Sequence, residues 1–264
     1  MSAKPKTKNS WLQLITDGAK TFSVPGGKVD VFKNFSFGIK AGEATAVMAP
    51  NASGKSVFTR VLLGLETLDS GTLEFSLSDR DILGFVTQRY QEQLLLTQSV
   101  RTNLLIATKG LRDPGINPQE LIEASLDFFK VLGYDIKLNS VVGTLSGGQQ
   151  QAIVLARAFS AKSAFCIWDE PTSAIDMTRK RSLYKYIEQI RKSSNQTLLF
   201  ITHDDDEALA IADRVVVFEP GLVVLYDKQI LRPVGMDGWT YAGSQQAKLI
   251  KDQLRDAMCG KRWS

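Results

Sequence analysis

The chain has 264 residues, 44% hydrophobic and 23% charged, with 32 basic against 28 acidic side chains and a net charge of +4. That length suits one large domain or two small ones, and the composition excludes collagenous, coiled-coil and disordered classes. Two cysteines, Cys166 and Cys259, make no disulfide framework, and a single histidine, His203, excludes a multi-histidine metal site.

Residues 1–10 read as a flexible basic tail without the apolar run of a signal peptide. From Trp11 to about Gly84 short β-type segments alternate with turns such as Ser23–Val24–Pro25–Gly26–Gly27, and Ala44–Met48 is an apolar run of strand length. A helix is expected to begin near Lys55. From Gln88 to about Gly143 the pattern turns helical: Asn117–Pro118–Gln119–Glu120 starts a helix whose apolar face runs from Leu121 to Leu132, and Gly133 closes it. The α/β alternation then returns. It gives a helix over 149–160, a strand at 165–168, a helix at 179–192, a strand at 198–202, a helix start at Asp204, a strand pair over 214–226, and a last amphipathic helix over 245–258. The apolar runs are far shorter than the ~18–20 residues of a membrane helix. The basic residues are scattered, so no nucleic-acid partner is expected.

Three segments carry chemistry. Ala49–Pro50–Asn51–Ala52–Ser53–Gly54–Lys55–Ser56 follows a strand and opens a helix. Such a loop cradles phosphates with its backbone N–H groups and the helix N-terminus, while Lys55 reaches a β or γ phosphate and Ser56 a Mg²⁺ ion. Ala49 stands where that pattern has glycine; if the position needs a positive φ, an L-residue costs ~1–2 kcal/mol. Phe165–Cys166–Ile167–Trp168–Asp169–Glu170 is an apolar strand ending in two carboxylates, the first suited to Mg²⁺ and the second to an attacking water. Leu145–Ser146–Gly147–Gly148–Gln149 is a second glycine-bearing helix start at which a backbone can approach a phosphate. His203 ends an apolar strand expected beside that of Asp169 and Glu170.

Together and in this order, these pieces resemble the nucleotide-binding subunit of ABC transporters over about Trp11 to Asp227. Ala49–Ser56 with Val57 resembles the Walker A loop, Gln88 the Q-loop glutamine, Leu145–Gln149 the LSGGQ signature without a change, and Phe165–Glu170 Walker B with the catalytic glutamate. Ser173–Asp176 resembles the D-loop, with Asp176 its acid, His203 resembles the switch histidine, and Phe22 falls where an aromatic stacks on adenine. The resemblance implies an α/β fold, a P-loop NTPase core with an N-terminal antiparallel β subdomain and an inserted α-helical subdomain over about 89–160. The cassette would cover 11–228, with a short C-terminal extension over 229–264.

It further implies ATP and Mg²⁺ as cofactors, with Ser56, Gln88 and Asp169 at the metal and Glu170 and His203 catalytic. Ser146, Gly147, Gly148 and Gln149 would act in trans, in a head-to-tail dimer with a second ATPase subunit. Transmembrane permease subunits would be the other partners, which places the chain peripherally on the cytoplasmic face of a membrane. Segment 204–217 resembles the ATPases of nitrate, sulfonate and taurine importers, although its motif is shared broadly. The departures are Ala49 and Ala52 for glycine, Val57 for threonine and Gln150 for arginine. The alternatives are a soluble ABC-type ATPase in assembly or repair, and a degenerate cassette that binds nucleotide with little turnover.

Overall fold

The computed structural model describes residues 11–75, 83–110, 117–160 and 163–259; the basic tail expected over 1–10 lies outside them. The chain runs β1 (Trp11–Val24), β2 (Gly27–Lys40), β3 (Ala44–Met48), α1 (Lys55–Leu62), β4 (Ser70–Phe75) and β5 (Leu83–Val86), then α2 (Val100–Gly110), α3 (Pro118–Val131) and α4 (Gly147–Ser160). It continues with β6 (Phe165–Asp169), α5 (Met177–Ser194), β7 (Thr197–Ile201), α6 (Asp205–Ile211), β8 (Arg214–Glu219), β9 (Val223–Gln229), α7 (Gly238–Ala242) and α8 (Gln245–Met258).

Two sheets result. An antiparallel sheet has the order β2-β1-β4. A second sheet has the order β5-β6-β7-β3-β8-β9, parallel except for its last strand. Its central strands β3 and β7 are buried along their whole length because both faces are covered. Successive side chains therefore enter different cores. Phe165 and Ile167 of β6 join the core shared with the antiparallel sheet and α1, whereas Cys166 and Trp168 join the core built with the helices. Leu199 and Ile201 of β7 split from Leu198 and Phe200 in the same way. In the first core Phe35 stacks on Phe37 and meets Phe58 and Phe218 edge-on, with centroids 5.5–6.0 Å apart.

Helix starts follow the sequence closely. The Asn117 side chain accepts from the Gln119 amide at α3, Asp204 accepts from the Asp206 and Glu207 amides at α6, and Ser244 accepts from the Ala247 amide at α8. Sequence reasoning missed α7, whose five residues, begun by an Asp237 cap, are too short for a helical period to show.

Candidate functional site

Sheet register brings the three carboxyl-terminal strand ends side by side. Val47 of β3 pairs with Ile201 of β7, and Ile201 with Asp169 of β6. The ladder carries on past the strands: Thr202 N donates to Val47 O at 3.1 Å, and Glu170 N to Ile201 O at 2.9 Å. The loop after β3, the carboxylates after β6 and the histidine after β7 thus share the rim where open parallel sheets hold ligands.

Residues 49–56 curl over the start of α1. Ala49 is buried, and the left-handed backbone falls at Ala52, φ 61°, and Gly54, φ 97°. The strain anticipated at Ala49 is therefore absent there and sits three residues on, because the turn reverses at Ala52 and not at the strand end. The Ser53 hydroxyl is buried without a hydrogen-bond partner. Lys55 Nζ donates to the Ala49 and Pro50 carbonyls at 2.6 and 2.7 Å. Burial lowers the Lys55 pKa against the opposing pull of Asp169 and Glu170. Val57 is half-buried and packs into the aromatic core.

Glu170 holds a left-handed φ of 49° and stands between two partners. Gln88 Nε2 donates to its Oε2 at 3.1 Å, and His203 Nδ1 lies 3.4 Å from its Oε1. Burial, then the Glu170 charge, push the Asp169 carboxyl up to about 6, with Lys55 pulling the other way. Lys55, Gln88, Glu170 and Asn51 line two adjoining clefts of about 450 Å³ each. One takes in Ala49, Pro50 and His203; the other takes in Ala52, Ser53, Gly54, Ser56, Val57 and Asp169.

Ser146, Gly148 and Gln149 line a different concavity with Tyr134, Asp176 and Arg179. Gln149 Oε1 accepts from Ser146 N at 3.0 Å and from its hydroxyl at 3.1 Å. A Cβ on Gly148 would stand 2.4 Å from Tyr134 Oη and 2.9 Å from Ala174 O, and one on Gly147 2.9 Å from Tyr90 Oη. Gln150 donates to the Val142 and Leu145 carbonyls and so fixes the loop from behind. Gln151 binds the Ser173 hydroxyl and the Ala174 amide, joining α4 to the segment after β6. Asp176 caps α5 and pairs with Arg179.

The structure gathers the residues of 49–57, Gln88, Asp169, Glu170 and His203 into one region and puts the 146–149 loop with Asp176 in another. Phe22 is not among the residues that line these two clefts. It shares a strand face with Lys20, whose ammonium lies 5.2 Å from the Phe22 ring centroid. Val29, Asp30 and Val31 of β2 with Pro220 and Gly221 line that end instead. Sequence reasoning also missed Met258, a wall residue of the His203 cleft. No local pattern marks these residues, because only the folded chain brings them there.

A doubly covered sheet with a glycine-lysine-serine loop at its rim defines a P-loop nucleotide-binding cassette. A model of the family described as ABC transporter matches residues 32–173, more than half of the sequence, and the chain belongs to that family. The sulfate/thiosulfate import ATP-binding protein CysA 2 of Shewanella oneidensis is 32% identical over 195 residues, covering 70% of this chain and 54% of that protein. The protein of that name, CysA, from Mannheimia succiniciproducens is 31% identical over 212 residues, 76% of this chain and 58% of its own length. The chain thus spans little more than half the length of these relatives. Among solved structures, the dimeric structure of a bacterial ABC transporter cassette superposes with a TM-score of 0.72 at 23% identity, covering 84% of this chain and 100% of that one. A post-hydrolysis cassette bound to ADP and Pi gives 0.71 at 23% identity with the same coverage. Both likenesses concern the fold.

Proposed function

We propose that the chain binds ATP with Mg²⁺ on the 49–57 loop, hydrolyses it in a head-to-tail pair with a second ATPase subunit, and so powers transmembrane permease subunits of an ABC transporter at the cytoplasmic face of a membrane. The cassette is 11–228, with the helical part at about 89–160 and the extension at 229–264. The observation that carries the reading is the placement of Glu170 between Gln88 and His203 beside Lys55.

In this reading Lys55 leaves the Ala49 and Pro50 carbonyls for phosphate oxygens. The loop amides bind the same oxygens, and Glu170 takes the proton of the attacking water, its carboxylate oriented by Gln88 and His203. General-base help of this kind contributes about 10²–10⁴ in rate. The donors near Asp169 suit Mg²⁺: a carboxylate, the Ser56 hydroxyl and the Gln88 amide are hard oxygen ligands, and an uncompensated Asp169 holds its proton unusually tightly. When bound, the ion would neutralise phosphate charge. The 146–149 loop lies in a separate concavity, so in this reading it serves the nucleotide on the partner subunit.

An importer is the finer reading. It is supported by the names of the relatives, which are sulfate/thiosulfate import proteins, and by the likeness of 204–217 to the nitrate, sulfonate and taurine type. Among the described residues no helix is long and apolar enough to cross a membrane, which fits a pore on another polypeptide.

The test pairs Glu170→Gln with pull-down from native membranes. The variant is expected to bind ATP, persist as an ATP-bound dimer and lose turnover, and the parent to bring down a multi-span partner. Parental turnover in Glu170→Gln, or no membrane partner, sinks the reading.

A further inference from the structure

We propose that the C-terminal helix α8 positions His203, making Lys251 and Arg255 positioning residues and Met258 a wall of the site. The inference rests on the reading of Glu170 and His203 above. Helix α8 lies outside the family-matched residues 32–173.

His203 has an exposed side chain, 71% accessible, whose contact to Glu170 is 3.4 Å long. Its orientation therefore depends on the backbone either side of it. On one side Thr202 N is tied to Val47 O. On the other, the chain enters α6, which Asp204 caps and whose first residues are Asp205 and Asp206. Each acid has a basic partner from another element. Lys180 of α5 donates to Asp204 at 3.0 Å, Arg255 Nε donates to Asp205 Oδ2 at 2.7 Å, and Lys251 pairs with Asp206. Lys251 and Arg255 are four residues apart and so share one face of α8. Asp205 and Lys251 are largely withdrawn from solvent, at 14% and 15% exposure, while their partners Arg255 and Asp206 stay exposed, at 65% and 44%. Leu254 and Ala257 are buried in the helical core, so α8 is a seated strut. It ends at Met258, which faces the cleft shared by Lys55, Glu170 and His203. A shift of α8 thus moves both the start of α6 and the wall beside the imidazole.

His203 is the single histidine of the chain, so its NMR signal needs no assignment. In the full-length protein, Lys251→Glu with Arg255→Glu is expected to move and broaden that signal. It should lower kcat for ATP about fivefold, with KM unchanged within about twofold. The exchange Lys251→Arg with Arg255→Lys should restore both. Should the double variant unfold, the single Arg255→Gln replaces it. An unmoved histidine signal in a folded variant, or a loss of kcat that the conservative exchange shares, overturns the proposal. The spectroscopic arm needs no turnover: an inactive parent would refute the ATPase reading, while a moved signal would still support the strut.

Discussion

The Lys55 ammonium is folded back onto the Ala49 carbonyl, 2.6 Å away, with the Pro50 carbonyl at 2.7 Å. The loop thus satisfies its own cation and holds it half-buried until a stronger acceptor arrives. A phosphate oxygen is such an acceptor, because it adds the attraction of a full opposite charge to the hydrogen bond that a carbonyl already offers. Lys55→Ala should weaken ATP binding about 10- to 100-fold, the worth of one or two such bonds. Fluorescent-nucleotide titration checks this, and unchanged affinity would refute the role.

The two alanines of the loop should respond to glycine in opposite directions. At Ala52 the φ of 61° is one that glycine adopts freely, so Ala52→Gly should stabilise the chain by about 0.5–1 kcal/mol. At Ala49 the backbone is ordinary and the methyl is packed at 4% exposure, so Ala49→Gly should cost about 1 kcal/mol. Urea unfolding of both variants checks the pair.

The Asp169 carboxyl titrates near 6 when folded against an ordinary 3.8, so the folded chain binds that proton more tightly than the unfolded one. Its contribution favours folding at acid pH and is lost as pH rises through about 6. Without nucleotide or divalent cation, Asp169→Asn should melt above the parent at about pH 7.5, and the gap should close towards pH 4. Melting curves across that range decide it; a constant gap would mean the carboxyl is not the cause.

Gly148 has no room for a side chain, since a methyl would press on the Ala174 carbonyl as well as the Tyr134 hydroxyl. Gly148→Ala should cost about 1–3 kcal/mol and disturb the start of α4. Tyr134→Phe in the same chain relieves one clash and leaves the backbone clash, so recovery should be partial. Thermal unfolding of the single and double variants measures it.

The elements that carry chemistry were legible because their signals are local. An apolar run followed by Gly54–Lys55–Ser56, a run ending in Asp169–Glu170, and an aspartate cap after His203 each declare themselves within ten residues. The site's walls were not legible. Val29 and Asp30 reach the cleft through a hairpin, Pro220 and Gly221 through the turn between β8 and β9, and Met258 through the last helix. The strain at Ala52 was hidden for a related reason, since composition reveals a missing glycine and only the backbone reveals which position turns left-handed.

The loop of Lys55 and the loop of Ser146 line concavities that have no residue in common. If two chains close head to tail about a two-fold axis, every nucleotide site is a chimera of both. Two defects then combine unlike ordinary ones. A chain broken only at Lys55, mixed with a chain broken only at Gly148, yields dimers in which both injuries fall on the same nucleotide and the other site is whole. Two inactive preparations would thus regain activity on mixing, the biochemical counterpart of genetic complementation within a single gene.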